Sequence, residues 1–227
     1  MDRYAIIDTH MPREFVLLQG TGCCWAKCAF CDYYYDKNSN PFPVNKEVLQ
    51  NVTGRYGVLD VINSGSAMEL DEETLQLIAE IVKAKNIHTL WFEAHYLYRK
   101  QLNQFAKRFP GVTVKFRCGI ESFDAVQRKI WNKGIAANVT PEDVAQYFQG
   151  VCLLCCTKGE SKERIVKDIA IARKYFEYFS VNLFCNNGTA MERDEELASW
   201  FEKEIYPQIK DDRRIEVLLN NTDLGVG

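Results

Sequence analysis

The sequence predicts an α/β fold, a partial (β/α)6-type TIM barrel with room for one extra C-terminal strand. Short apolar strands alternate with amphipathic helices, and the strands are apolar throughout, as in parallel sheets covered by helices. The chain has 227 residues. A complete eight-stranded barrel takes ~250 residues, so this length fits six or seven units. In such folds we expect the functional site at the C-terminal ends of the strands.

Seven short segments rich in β-branched and aromatic residues are predicted as strands. They are 15–19, 56–62, 89–92, 112–120, 151–156, 180–184 and 215–219.

Apolar residues at helical spacing predict helices in the segments between the strands. Helices are expected at 71–85, 100–109, 161–176 and 193–205. Ser161 is a candidate N-cap for the third of them. The longest connection, 124–149, is predicted to hold two helices broken near Gly134 and Pro141. Because no linker or composition shift interrupts the chain, residues 1–227 are expected to form a single domain.

Composition excludes several classes of protein. Hydrophobic residues make up 47% and charged residues 26%, as in an ordinary folded globule. No apolar run reaches the ~18 residues of a membrane span, and the N-terminus lacks an apolar signal region. We therefore expect a cytoplasmic protein without membrane association. A net charge of −3 without a Lys/Arg stripe favours a small-molecule substrate over stable nucleic-acid binding.

Nine cysteines stand out, and four of them fall within residues 23–31. Cys24, Cys28 and Cys31 follow the first strand with the spacing C-x3-C-x2-C. Three thiolates on one loop can bind three irons of a cube-shaped iron–sulfur cluster and leave the fourth iron open to a small molecule. Zinc more often takes four ligands. In a zinc site Cys23 would be the fourth ligand, although two adjacent cysteines seldom bind one metal ion comfortably.

The cysteine loop resembles that of the radical S-adenosylmethionine (SAM) superfamily, in which an aromatic residue, here Phe30, precedes the third cysteine. The resemblance implies a 4Fe–4S cluster on Cys24, Cys28 and Cys31, with SAM chelated at the open iron. It implies reductive cleavage of SAM to a 5′-deoxyadenosyl radical that abstracts hydrogen from the substrate. It also implies an external electron donor such as flavodoxin or ferredoxin.

The resemblance implies SAM contacts at successive strand ends as well. Ser64-Gly65-Ser66 stands where the family commonly has Gly-Gly-Glu, the motif for the methionine amino group. Serine hydroxyls carry less charge than a carboxylate, so Glu69 is an alternative partner for that group. The SAM-binding residues implied are Phe30, Ser64, Gly65, Ser66, Glu121 and Asn186.

Cysteines outside the loop have a plainer interpretation. Cys152, Cys155 and Cys156 lie within an apolar strand, where small core residues are more usual than ligands of a second cluster. Cys118 is interpreted in the same way. Cys185 is either a core residue or a late hydrogen-atom donor, and it joins Glu93 as a catalytic candidate.

The length of the chain, its cysteine loop and the order of its motifs resemble those of the queuine lyase group. Members of this group cleave queuine to its aminomethyl deazaguanine precursor. A deazaguanine edge presents adjacent N–H donors that a carboxylate accepts well, and tyrosines stack on a flat base. The candidate substrate-binding residues are Tyr33, Asp36, Glu93, His95, Tyr96 and Asp223. Two alternatives remain open: an activase that installs a glycyl radical on a partner protein, and a non-catalytic iron–sulfur sensor.

Overall fold

The computed structural model describes residues 2–226 and contains one eight-stranded sheet whose strands follow in chain order. The strands are β1 (Tyr4–Ile7), β2 (Arg13–Leu18), β3 (Val58–Asn63), β4 (Thr89–Ala94), β5 (Thr113–Glu121), β6 (Gly150–Cys155), β7 (Tyr178–Leu183) and β8 (Ile215–Leu218). Strand β1 is antiparallel to β2, and every later neighbour is parallel. Across the described residues, the sheet curls into an open half-barrel. The predicted fold class is confirmed, including the additional C-terminal strand.

Eight α-helices are found in the described part of the chain. They are α1 (Phe42–Leu49), α2 (Glu72–Ala84), α3 (Leu102–Ala106), α4 (Ala125–Ile130), α5 (Pro141–Ala145), α6 (Lys162–Tyr175), α7 (Glu195–Trp200) and α8 (Tyr206–Ile209). A π-helical turn, Phe201–Ile205, joins the last two.

The expected elements are present, and their ends follow from local chemistry. Asp71 and Ser161 are the N-caps of α2 and α6, and each accepts a backbone N–H three residues later. Three elements, β1, α1 and the short α8, were not expected. Strand β1 has only four residues on a sheet edge, and α1 buries the polar Asn45 beside its apolar residues, which obscures the helical pattern.

The outer face of the sheet carries the main apolar core, packed against the helices. Cys118, Cys155 and Cys156 are buried in this core, as expected for core cysteines. Cys152 differs, because alternation along β6 turns it to the inner face, where it lines a cavity. Cys152 is therefore buried, as expected, but it lies on the inner face of the sheet and not in the main core.

Buried charges fill the inner face at the lower end of the half-barrel. Asp60 on β3 accepts hydrogen bonds from Arg13 Nε at 2.8 Å and from both terminal nitrogens of Arg117, at 2.8 and 2.5 Å. Arg13 also donates to Glu216 at 2.7 Å, and Tyr178 donates to the same carboxylate at 2.6 Å. Burial by itself lowers the pKa of Arg13, but the negative charges of Asp60 and Glu216 outweigh this and raise it. The network ties β2 to β3, β5 and β8.

The end of the chain covers the gap between β8 and β2. Leu224 and Val226 pack against Ile7, Phe15 and Leu17 in a small second apolar cluster. This segment closes the side of the half-barrel and adds apolar side chains to the cavity wall.

None of the helices within residues 2–226 combines the length and apolar character that a membrane span requires.

Replacing Asp60 with Asn should lower the free energy of unfolding by about 3–5 kcal/mol, because two buried guanidinium groups lose their carboxylate. Denaturant unfolding measures this. The matched control is Glu72→Gln, which removes an exposed ion pair with Arg108 and should cost less than about 1 kcal/mol. Equal losses in the two variants would contradict the role assigned to Asp60.

Candidate active site

A cavity of about 260 Å³ opens at the C-terminal ends of the parallel strands, beneath the loop that carries the clustered cysteines. Its walls come from β2 through β8, the cysteine loop and the C-terminal segment. This cavity lies at the edge of the sheet where the sequence analysis predicts the site.

The first anchor of the cysteine loop is Glu69. Its carboxylate accepts hydrogen bonds from the backbone N–H of Cys24, the hydroxyl of Tyr98 at 3.0 Å and the backbone N–H of Ser66 at 2.5 Å. Its carbonyl accepts from the backbone N–H of Thr21 at 3.0 Å. Glu69 therefore joins the end of β3 to the loop, and its carboxylate is already used by three donors.

The second anchor is the segment that follows α4. The indole N–H of Trp25 donates to the carbonyl of Asn132 at 2.6 Å, and the side chain of Asn132 donates to the carbonyl of Lys27 at 2.9 Å. The backbone N–H of Ala29 donates to the carbonyl of Trp131 at 2.9 Å. At Gly134, which has φ +74°, a Cβ atom would collide with the Trp25 indole. The close packing of the loop therefore needs glycine there.

The third anchor comes from the loop after β7. Asn187 donates through its side chain to the carbonyl of Phe30 at 2.8 Å, and the backbone N–H of Gly188 donates to Asp32 at 3.2 Å. The cysteine loop is thus held from three separate parts of the sheet edge.

The thiols of Cys24, Cys28 and Cys31 are all free. Cys28 and Cys31 line the cavity with Cys23, whereas Cys24 is exposed on the loop. Burial raises the pKa of Cys28 to about 12 and that of Cys31 to about 11, and burial together with Glu69 raises that of Cys24 to about 11. Thiolates at these positions therefore need a bound cation to offset their charge.

This donor set fits a cluster with one open iron: three unbridged thiols on one anchored loop at the mouth of a cavity. No three His, Cys, Asp or Glu side chains in residues 2–226 converge as ligands of a single metal ion do. The thiolates of a cubane cluster bind three different irons.

Ser64, Gly65 and Ser66 line the cavity beside the loop. The Ser64 hydroxyl accepts the backbone N–H of Gly20 at 2.8 Å, and the Ser66 hydroxyl accepts that of His95 at 3.0 Å. Each hydroxyl keeps a proton to donate and a second lone pair. A Cβ at Gly65 would collide with the Glu69 carboxylate, so only glycine allows this approach.

A buried ion pair lies on the opposite wall. Lys133 donates to Glu121 at 2.8 Å, and its ammonium lies 5.4 Å from the centre of the Phe30 ring. Burial by itself lowers the pKa of Lys133, but the negative charge of Glu121 outweighs this and raises it, so the amine stays protonated. Glu121 has φ +63° at an irregularity of β5. Gly119 leaves the space that both side chains occupy.

His95 lines the cavity, but both of its ring nitrogens are used by the backbone. A carbonyl can only accept, so Nε2 donates to the carbonyl of Lys133 at 2.8 Å, and Nδ1 accepts the N–H of Leu97 at 3.2 Å. Burial and the charge of Lys133 lower the pKa of His95 to about 4. The neutral ring stacks on Trp25 at 6.1 Å, so His95 offers the cavity a ring surface.

Polar groups at the floor of the cavity come from neighbouring strands. Glu93 on β4 faces inward, and the thiol of Cys152 on β6 lies 3.7 Å from its carboxylate. Burial raises the pKa of Glu93, and the charge of Arg117 opposes this rise. Asn182 on β7 has a side-chain oxygen without a hydrogen-bond partner among the described residues. Around these groups the wall is apolar; it is formed by Phe15, Leu17, Ile62, Leu154, Leu218, Leu224 and Val226.

Tyr33 and Cys185 also line the cavity, but four of the predicted SAM- and substrate-binding residues do not. Asp36 pairs with Arg3 at 2.6 Å, and Asp223 accepts the N–H groups of Leu219 and Asn220 in a turn. Tyr96 packs on Phe148 and Arg99. Asn186 accepts the N–H of Arg193.

The cavity residues that the sequence analysis did not assign to the site include Trp25, Lys133, Cys152 and Asn187. Strict alternation along β6 would have assigned Cys152 to the inner face. Nothing in the sequence pattern marks Lys133, which reaches the cavity from the long connection after β5.

Stability should fall between pH 6.5 and about 4 because the unfolded chain protonates His95 while the folded chain keeps it neutral. The loss assigned to His95 is about 3 kcal/mol at most, from its pKa shift at 1.36 kcal/mol per unit. Urea unfolding at several pH values should show a smaller fall for His95→Gln. The control His88→Gln, at an exposed position, should show the same dependence of the free energy of unfolding on pH as the wild type. If His95→Gln lost as much stability between these pH values as the wild type, the loss could not be assigned to His95.

Searches against protein families and curated proteins found no matching family model and no matching curated protein. Solved structures do match. A queuine lyase from Clostridium spiroforme, bound to SAM and queuine, is 41% identical with a TM-score of 0.95, over 100% of this chain and 99% of that one. The cobalamin-dependent S-adenosylmethionine radical enzyme OxsB is 10% identical with a TM-score of 0.41, over 72% of this chain and 26% of that one.

The sequence identity of 41% extends over essentially the whole of both chains. This chain also has the open half-barrel and the cysteine loop anchored above the cavity of the half-barrel. The chain therefore belongs to the queuine lyase family of the radical SAM superfamily.

Proposed function

We propose that this chain is a radical SAM queuine lyase, which cleaves the bond between the cyclopentenediol and the aminomethyl group of queuine and yields the aminomethyl deazaguanine. The observation that carries the proposal is the full-length similarity to a queuine lyase solved with both SAM and queuine. The cavity agrees with a small substrate, since its walls are largely apolar and its polar groups are few and grouped.

Cys24, Cys28 and Cys31 would hold a 4Fe–4S cluster. When bound, the cluster supplies the electron that splits the sulfonium of SAM, so that hydrogen can be taken from queuine. The chain's own contribution is the position of the loop. Glu69, the segment after α4 and Asn187 fix it above the cavity, so the thiols need little reorganisation to bind iron.

SAM would lie across the strand ends on the side of Ser64, Gly65 and Ser66. The two serine hydroxyls have both a free lone pair and a proton, and they would meet the amino group of the methionine part. Glu121 and Lys133 place a paired charge on the facing wall, and Phe30 lies beside them. Asn187 lines the cavity where Asn186 does not, so we propose Asn187 as the adenine-side contact.

Queuine would take the deeper part of the cavity, with Glu93 as its main polar partner. Among the described residues, the Cys152 thiol at 3.7 Å is the one hydrogen-bond partner of the Glu93 carboxylate, so the carboxylate can accept from N–H groups of the substrate. A cationic amine close by would favour the charged carboxylate against the cost of burial. Tyr33 at the rim offers a ring on which a flat base can stack. Cys185, also at the rim, stays a candidate hydrogen-atom donor.

The reaction needs an electron from outside the chain. We therefore propose a one-electron carrier protein, such as flavodoxin or ferredoxin, as the physiological partner.

Anaerobic reconstitution should load about four irons with sulfide. Alanine at Cys24, Cys28 or Cys31 should abolish cluster binding, because each supplies one corner of the site. Cys23→Ala is the matched control on the same loop and should keep the iron. Iron and sulfide analysis with visible absorption checks this, and one zinc without sulfide would overturn it.

Reduced, reconstituted enzyme incubated with SAM and queuine should give the aminomethyl deazaguanine and 5′-deoxyadenosine, both measured by mass spectrometry. Unchanged queuine together with glycyl-radical formation on a co-purified protein would favour the activase alternative.

Replacing Glu93 with Gln should weaken queuine binding roughly 30- to 700-fold, equivalent to about 2–4 kcal/mol, because charge-assisted hydrogen bonds are lost. Calorimetric titration of queuine in the presence of SAM measures the change. Glu73→Gln, on the exposed face of α2, is the control and should bind as wild type. Unchanged affinity in Glu93→Gln would remove Glu93 from the substrate site.

A further inference from the structure

An exposed face beside the cysteine loop combines large apolar side chains with lysines. Val126 and Ile130 on α4 are 68% and 65% exposed. Lys129 is exposed between them, and spacings of three and four residues place all three on one side of the helix. Lys27, exposed on the cysteine loop, completes the set, which we call the Lys27–Ile130 face.

The two parts of this face are joined by short hydrogen bonds. The side chain of Asn132 donates to the carbonyl of Lys27 at 2.9 Å. The backbone N–H of Ala29 donates to the carbonyl of Trp131, the residue after Ile130, at 2.9 Å. Ala29 lies between two of the cluster cysteines, so the face lies directly behind the cluster loop.

The local charge differs from that of the whole chain. The chain carries a net −3, yet the segments 20–31 and 125–134 contain four basic residues and no acidic one. The flanking Asp32 and Asp124 accept the backbone N–H groups of Gly188 and Gln127. Arg128 and Lys133 are buried, which leaves Lys27 and Lys129 as the exposed charges. A negatively charged protein would be repelled by much of the surface and attracted here.

We propose that the Lys27–Ile130 face is the docking surface for an acidic one-electron carrier protein that reduces the cluster. This inference rests on the proposed function, which requires an external electron. The other side of the cysteine loop faces the cavity for SAM and substrate, so a carrier has to approach from outside. In the transfer, the carrier loses one electron and the cluster gains it, and no covalent bond forms or breaks. Val126 and Ile130 supply apolar area, and the lysines steer the approach.

The test uses full-length, cluster-loaded protein with flavodoxin as the probe. The first face variant is the double replacement Lys27→Glu/Lys129→Glu. The second, Lys129→Glu/Ile130→Ser, changes only residues of the helix and leaves the cysteine loop as it is. The matched control is Lys46→Glu/Lys83→Glu, which makes the same charge change at exposed sites on α1 and α2. Iron content is measured for every variant.

Binding of oxidised flavodoxin, measured by calorimetric titration, should weaken at least tenfold in both face variants and stay unchanged in the control. Wild-type affinity should fall as salt rises, because the exposed charges are screened. Turnover driven by flavodoxin hydroquinone should fall at least tenfold at subsaturating flavodoxin, while turnover driven by dithionite should stay the same.

Wild-type flavodoxin affinity in both face variants would overturn the docking proposal, and so would an equal fall of the two turnover rates. A wild-type dimer that the Ile130→Ser change dissociates in sedimentation would assign the face to self-association instead. Dithionite-driven cleavage of queuine separates the two proposals: its absence in wild type counts against the lyase function, whereas the binding titration addresses docking alone.

Discussion

Beneath the cavity, the Asp60 carboxylate is shared by two guanidinium groups, those of Arg13 and Arg117. Buried charges are tolerated only when they are paired and hydrogen-bonded, so these strands are held in the one arrangement that lets the groups meet. Arg13 also reaches Glu216 on β8. An open sheet has no closing row of backbone hydrogen bonds, and this network supplies a side-chain connection between its first and last parallel strands.

The curvature of the sheet directs the ends of the strands, and the residues that follow them, toward one place. The cysteine loop after β2 meets Glu69 after β3, Asn132 after α4 and Asn187 after β7. On the loop, these contacts use the backbone of Cys24 and Phe30 and the indole of Trp25, and they leave the thiols free. A loop held in this way keeps three thiols at the cavity mouth without tying up the groups that the chemistry needs.

Charge is distributed unevenly around the cavity. Lys133 is neutralised by Glu121 on one wall, whereas Glu93 at the floor has no basic partner within hydrogen-bond distance among the described residues. His95 between them stays neutral because burial depresses its pKa. The site therefore presents one available carboxylate at its floor, while the outer side of the loop presents lysines.

The sequence by itself determined the partial barrel of parallel strands and the cysteine loop at the edge of the sheet. These features depend on short-range sequence patterns: apolar runs, helical spacing, N-caps and the spacing of three cysteines along the chain. Only the tertiary structure decided that Asp36 pairs with Arg3 away from the cavity, that Lys133 reaches into it and that Glu69 holds the loop. Such contacts join residues far apart in the chain, and no local pattern encodes them, because the curvature of the sheet sets which strand ends meet.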